Sequence, residues 1–208
     1  MKIICIGRNF AGHAKELNNP VLTRPVIFMK PATALLVNGK PFYYPDFTKD
    51  LHHELEVVLK ICKNGKAILP QFAHSYYEEV TLGIDFTARD IQDELKAKGH
   101  PWEISKSFDG SAVVGKFIPL EMVSSDGNIE FKLRKNGEVV QHGNTSDMIT
   151  SFDQLIVYVS QYFRLLQGDL IYTGTPAGVG PVQIGDKLQG FITTVDGKEK
   201  QLLSCQVK

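Results

Sequence analysis

With 208 residues the chain can bury a substantial core, and 43% hydrophobic against 22% charged residues excludes disordered and fibrous classes. Lys plus Arg and Asp plus Glu balance at 23 each. That balance argues against nucleic acid or an anionic membrane as the main partner, since either calls for a basic excess or stripe, and leaves a small molecule as the expected one.

The N-terminus, MKIICIGRNF, carries an apolar run too short for a signal-peptide core, and no window of about 18 apolar residues follows. A cytoplasmic protein is expected. A first strand is predicted over KIICIG (2–7), then a short helix over AGHAKELN (11–18) bounded by Asn19-Pro20, then a strand over PVIFMK (25–30). Strands follow at LEVVLKIC (55–62) and VTLGIDF (80–86). A helix is predicted over 88–98, with Thr87 and Asp90 spaced as a capping box and Gly99 and Pro101 as stop signals. The run from 129 to 143 holds Asn136-Gly137, and the run from 187 to 207 holds Asp196-Gly197; each dipeptide predicts an antiparallel hairpin. Between them lie a helix from Phe152 to about Leu166, capped by Ser151 with Gln154, and a strand over DLIYTG (169–174). The apolar stripe of that helix, Phe152, Leu155, Ile156, Val159 and Phe163, reads as core packing. No repeat or linker divides the chain, so one mostly-β domain with peripheral helices, of the α+β class, is expected over 1–208.

Chemistry enters at LHHELEVVLK (51–60). On a strand His52, Glu54 and Glu56 share one side, and two buried carboxylates facing the same way need a neutralising cation. Asp85 closes the next apolar run where strand gives way to helix. Three carboxylates from two strands form a hard, all-oxygen site suited to Mg²⁺, with Mn²⁺ or Ca²⁺ as alternatives. An edge strand with its acids in water, and Asp85 as a turn or capping residue, fit the spacing equally well. Zinc is a weaker idea, because adjacent His52 and His53 face opposite ways and no H-E-x-x-H or Cys pair accompanies them. Cys5, Cys62 and Cys205 are too dispersed for a disulfide frame and read as reduced, small hydrophobes.

Five segments in order, GRNFAGHAKEL, HHELEVVL, GIDFTARDIQ, SKSFDG and TGTPAGVGP, resemble the fumarylacetoacetate hydrolase family, in particular its short acylpyruvase and oxaloacetate decarboxylase branch. The resemblance implies a mixed β-sandwich or roll with an N-terminal lid in 1–20. It implies Mg²⁺ or Mn²⁺ on Glu54, Glu56 and Asp85, and a catalytic pair His13 and Glu16 on the lid. At i and i+3 on a helical turn, Glu16 can orient His13 as a general base toward water. Lys106 matches the family lysine beside the metal. Arg8, Arg89, Gln92 and Thr175 become substrate contacts, Thr175 within a glycine-rich turn that lacks the G-K-[ST] of a phosphate loop. The implied activity is hydrolysis of a carbon–carbon bond in an acylpyruvate through a metal-stabilised enolate, by a homodimer acting on a small 2-oxo acid. Oxaloacetate decarboxylation or tautomerisation, isomerisation or hydration of dienoic acids, and non-catalytic metal-dependent dicarboxylate binding are the alternatives.

Overall fold

The computed structural model describes residues 1–10, 12, 24–124 and 127–208. The helix expected over 11–18, with His13 and Glu16, lies outside the described residues apart from Gly12.

Strands dominate, as composition and patterning imply. The largest sheet is built from β1 (Ile3–Gly7), β2 (Val26–Lys30), β3 (Leu35–Val37), β5 (Leu55–Ile61), β6 (Tyr77–Asp85), β8 (Ala112–Val114), β9 (Ile118–Pro119) and β12 (Leu170–Tyr172). Its order is β2-β1-β12-β5-β6-β8-β3, with β9 beside β6. The β1–β12 and β3–β8 pairs are parallel and the others antiparallel. β5 sits in the middle, and all its residues but Lys60 are buried. A strand covered on both faces reads as a near-continuous apolar run, which is what Leu55 to Ile61 supplies.

β4 (Leu51–His53) leaves this sheet to pair with β7 (Thr87–Ala88) and β13 (Gly180–Pro181) in a small three-stranded sheet. Glu54 is the residue between β4 and β5, so it stands where the chain changes sheets. A third sheet, in the order β11-β10-β14-β15, contains both expected hairpins. Between β10 (Glu130–Lys135) and β11 (Glu138–Asn144), Asn136 and Gly137 take φ 54° and 93°, a two-residue connection that keeps the strand twist. Between β14 (Lys187–Thr193) and β15 (Glu199–Gln206) the connection is wider: Gly197 alone has positive φ, and Thr194 N–H donates to the Lys198 carbonyl.

Helices fully within the described residues include α1 (Arg89–Lys98), α2 (Glu103–Lys106) and α3 (Phe152–Tyr162). α3 carries the expected capping box and buries Phe152, Leu155, Ile156 and Val159. It stops short of Leu166 because Phe163 turns extended and Leu165 exchanges backbone hydrogen bonds with Gly65. α1 ends at Gly99, φ 66°, as expected, but its N-terminus is a correction. Ala88 is the cap residue and offers no side-chain cap bond. Thr87 is occupied elsewhere, and the Asp90 carboxylate, besides accepting from Ile91 N at 2.9 Å, accepts from Thr48 Oγ1 and Lys49 N instead of from Thr87. No helix among the described residues is long and apolar enough to cross a membrane.

Candidate metal centre and substrate cleft

Antiparallel pairing of β5 and β6 sets Leu55 opposite Ile84, and one step beyond this ladder Asp85 N–H donates to the Glu54 carbonyl at 2.9 Å. The end of one central strand and the start of its neighbour are thereby fixed side by side. Glu54, Glu56 and Asp85 each place a carboxylate oxygen within 4.8 Å of the others, and all three residues are buried. The edge-strand reading, with acids in water, is thus set aside.

Three carboxylates this close are tolerable only with cations beside them. Lys106 Nζ lies 2.8 Å from Glu54 Oε2, 2.8 Å from Asp85 Oδ2 and 2.6 Å from Thr87 Oγ1. Arg89 Nη2 lies 2.5 Å from Glu54 Oε1 and donates through Nη1 to Gln92 Oε1. Lys30 Nζ lies 2.7 Å from Asp85 Oδ1, and it donates to the Lys106 carbonyl and, at 2.9 Å, to Ser111 Oγ. Glu56 instead accepts from Gly174 N–H at 2.7 Å, in the glycine-rich turn where Gly174 has φ 105°.

Burial pushes the Glu56 carboxyl well above its ordinary range, the Asp85 charge adds to this, and the Gly174 N–H opposes it. Burial works against the Lys106 ammonium too, yet the Asp85 and Glu54 carboxylates outweigh it and hold the lysine above its usual value. Lys106 is therefore firmly cationic. A cluster of buried hard oxygens, one of them costly to ionise without a further positive charge, fits Mg²⁺ or Mn²⁺ and not a soft ion.

The cluster forms the floor of a cleft. Atom-free space in it is about 420 Å³, part of it open to solvent. Arg8, Arg89, Gln92, Lys106 and Thr175 line it together with the three acids, so the sequence-derived candidates inside the described residues converge on one place. Thr175 reaches it while its hydroxyl accepts from Gln141 Nε2 at 2.9 Å. His53 does not join. Its Nδ1 is 3.0 Å from Gln141 Oε1, and burial lowers its pKa to about 4. His52 instead pairs through Nε2 with Asp50 at 3.0 Å, so neither histidine supports zinc.

Sequence reasoning missed Lys30, Thr87 and Lys96. Lys30 closes an apolar strand as a surface lysine commonly does, yet it is 2% exposed. Thr87, read as a cap, donates its hydroxyl to Glu54 Oε1 at 3.0 Å. Of the thiols, Cys5 and Cys205 are buried and Cys62 half-buried, all unpaired. Burial, and next the Asp85 charge, push the Cys5 thiol well up, which leaves no thiolate at neutral pH.

A family model described as fumarylacetoacetate (FAA) hydrolase C-terminal matches residues 2–202. The chain belongs to the fumarylacetoacetate hydrolase family. It is 44% identical to the oxaloacetate tautomerase FAHD1, mitochondrial, of Bos taurus over 91% of this chain and 86% of that one. It is 41% identical to a mitochondrial oxaloacetate decarboxylase of Dictyostelium discoideum, over 94% and 90%. The crystal structure of fumarylpyruvate hydrolase from Pseudomonas aeruginosa in complex with Mn²⁺ and pyruvate superposes with TM-score 0.90 at 36% identity, covering all of this chain and 89% of that one.

Proposed function

We propose that this chain is a Mg²⁺- or Mn²⁺-dependent enzyme that forms and reprotonates the enolate of a small 2-oxo acid, with oxaloacetate tautomerisation and decarboxylation as its activities. The observation that carries this reading is the convergence of three buried carboxylates on the floor of a cleft lined by cations. Names of the relatives at 41–44% identity point to oxaloacetate rather than to the acylpyruvates expected from the motifs alone.

Glu54, Glu56 and Asp85 hold the ion, which when bound supplies Lewis-acid stabilisation of negative charge developing on the substrate. Lys106, fixed by two carboxylates and Thr87, presents a permanent cation where that charge grows, so its help is greater in the transition state than in the ground state. Arg89 is locked onto Glu54 and Gln92 and bounds the substrate from the helix side. His13, oriented by Glu16, moves the proton at the substrate carbon. The whole 1–208 chain acts as one catalytic domain within a homodimer.

Hydrolysis of acylpyruvates is the second reading, favoured by the His13–Glu16 spacing, which suits activation of water, and by the fumarylpyruvate hydrolase neighbour. Chelator-treated protein is given Mg²⁺, Mn²⁺ or Zn²⁺. Oxaloacetate enol decay, oxaloacetate decarboxylation and acetylpyruvate or fumarylpyruvate cleavage are then followed beside a His13→Ala variant. Activity should return with Mg²⁺ or Mn²⁺ and not with Zn²⁺, and should be highest on oxaloacetate. Metal-loaded protein that binds oxalate yet turns over none of these above the His13→Ala variant is a binder, not an enzyme.

A further inference from the structure

Helix α1 offers the cleft three polar side chains, Arg89, Gln92 and Lys96. Spacings of i, i+3 and i+7 put them on one face, spread over two turns or about 10 Å of helix axis. The first two belong to the inner site, where Arg89 grips Glu54 and Gln92 grips Arg89. Lys96 is differently placed. Among the described residues its ammonium makes no hydrogen bond; the carboxylate paired with it, Asp93 Oδ1, is 3.7 Å away on a side chain that is 64% exposed. Its Nζ stands 5.8 Å from the Trp102 ring centroid, and Trp102 lines the same cleft.

Arg8 lines the cleft as well and adopts φ 61°, a left-handed conformation that is costly for a residue with a Cβ and that recurs where a side chain must be aimed for function. A charge inventory then separates two ends. Glu54 and Asp85 contact Lys106, Arg89 and Lys30, and Glu56 completes three carboxylates against three cations. The described cleft lining thus holds four cations, Arg8, Arg89, Lys96 and Lys106, against three carboxylates, and among the described residues Arg8 and Lys96 are the two with no ion pair to them. Burial first, and then repulsion from Arg89, hold the Lys96 ammonium below its usual pKa, a strain that an anion bound between these cations relieves. Such a surplus at the outer end complements a second anionic group on a ligand whose first is engaged at the floor.

We propose that Lys96, together with Arg8, binds the distal carboxylate of a dianionic 2-oxo acid, so that this end of α1 selects dicarboxylates over monocarboxylates. The inference rests on the 2-oxo acid reading above and assigns its specificity to residues away from the metal ligands.

L-malate and L-lactate, which differ by one distal carboxylate, serve as unreactive probes. Their affinities for Mn²⁺-loaded protein are measured by calorimetry for the wild type, Lys96→Met and Lys96→Arg. One charge-assisted contact corresponds to about 10-fold or more in affinity. Malate is expected to bind at least that much tighter than lactate, Lys96→Met to remove the difference, and Lys96→Arg to keep most of it. In oxaloacetate tautomerisation, where the distal carboxylate is retained, Lys96→Met should raise KM about 10-fold or more with kcat within about twofold. A wild type that binds malate no better than lactate overturns the proposal, as does a Lys96→Met variant that weakens both probes equally. A malate preference that depends on Lys96 in a protein without turnover leaves the subsite standing and removes the catalytic reading instead.

Discussion

Helices α1 and α3 have similar lengths and were both expected from local sequence, yet they do opposite things with their buried faces. α3 begins at a complete capping box and buries Phe152, Leu155, Ile156 and Val159 in the main core. α1 begins at Ala88 with no side-chain cap and buries Arg89 and Gln92 beside a single apolar residue, Leu95. Burying a guanidinium and an amide contributes little to stability even when both are paired. A helix that does so is aiming groups at something, and here the polar face forms one wall of the cleft. The lesson is local: the α3 pattern predicts stability and the α1 pattern predicts chemistry.

The sharpest way to break the comparison is to substitute one buried side chain on each helix. Arg89→Met removes the 2.5 Å contact to Glu54 and should lower kcat/KM on the true substrate by about 100-fold or more, with Mn²⁺ affinity falling as Glu54 loses its anchor. Leu155→Ala, at a fully buried position, should cost about 2–5 kcal/mol in urea unfolding while kcat of the folded fraction stays near wild type. Equal losses of activity in the two variants would dissolve the distinction.

The second difference appears on acidification. β4 pairs with β7, the strand that feeds α1, and it carries His53, whose pKa is lowered by burial from 6.5 to about 4. Below pH 6.5 the unfolded chain takes up a proton that the folded chain refuses, so stability is retained above 6.5 and declines as pH falls toward 4. At pH 5 the loss is about 2 kcal/mol relative to pH 7. His53→Asn, measured by urea unfolding at both pH values, should show that decline reduced by this amount. A variant that keeps the full wild-type slope would show that the acid sensitivity lies elsewhere.

What could be read beforehand follows the range of the interactions. β5 and the two hairpins were readable because an apolar run and dipeptides such as Asn136-Gly137 determine their own conformations. Glu54 and Glu56 were readable as a same-side pair, and Asp85 as a third acid, but only the Asp85 N–H bond to Glu54 brings them together. Family motifs supplied Arg8, Lys106, Arg89, Gln92 and Thr175, and these do line one cleft. Lys30 escaped because nothing near Met29 or Pro31 signals that its ammonium meets Asp85 across the fold. Thr87 was misread for the same reason: a local cap was outcompeted by Lys106 and Glu54, partners distant in sequence. α2 is a four-residue turn of helix with no periodicity to detect, although it delivers Lys106.

The smallest effect tests the helix starts directly. Ser151 Oγ accepts from Gln154 N at 3.5 Å and Ser151 N donates to Gln154 Oε1 at 2.9 Å, a box whose first bond is long. Ser151→Ala should therefore cost about 1 kcal/mol or somewhat less, a fall in Tm of about 2–4 °C for a chain of this size. The reverse change at the other helix has no such return. Ala88 is fully buried and paired with Leu51 in the β4–β7 ladder, so its backbone conformation is set by the sheet. In Ala88→Ser the new hydroxyl enters a packed, apolar position, and its desolvation opposes whatever bond it makes to the first turn of α1. Thermal unfolding should find Ala88→Ser no more stable than wild type. A gain of a full cap's worth would mean that α1 lacks only a side chain at its start, and not that Thr87 and Ala88 are held by the sheet and the metal-site cations.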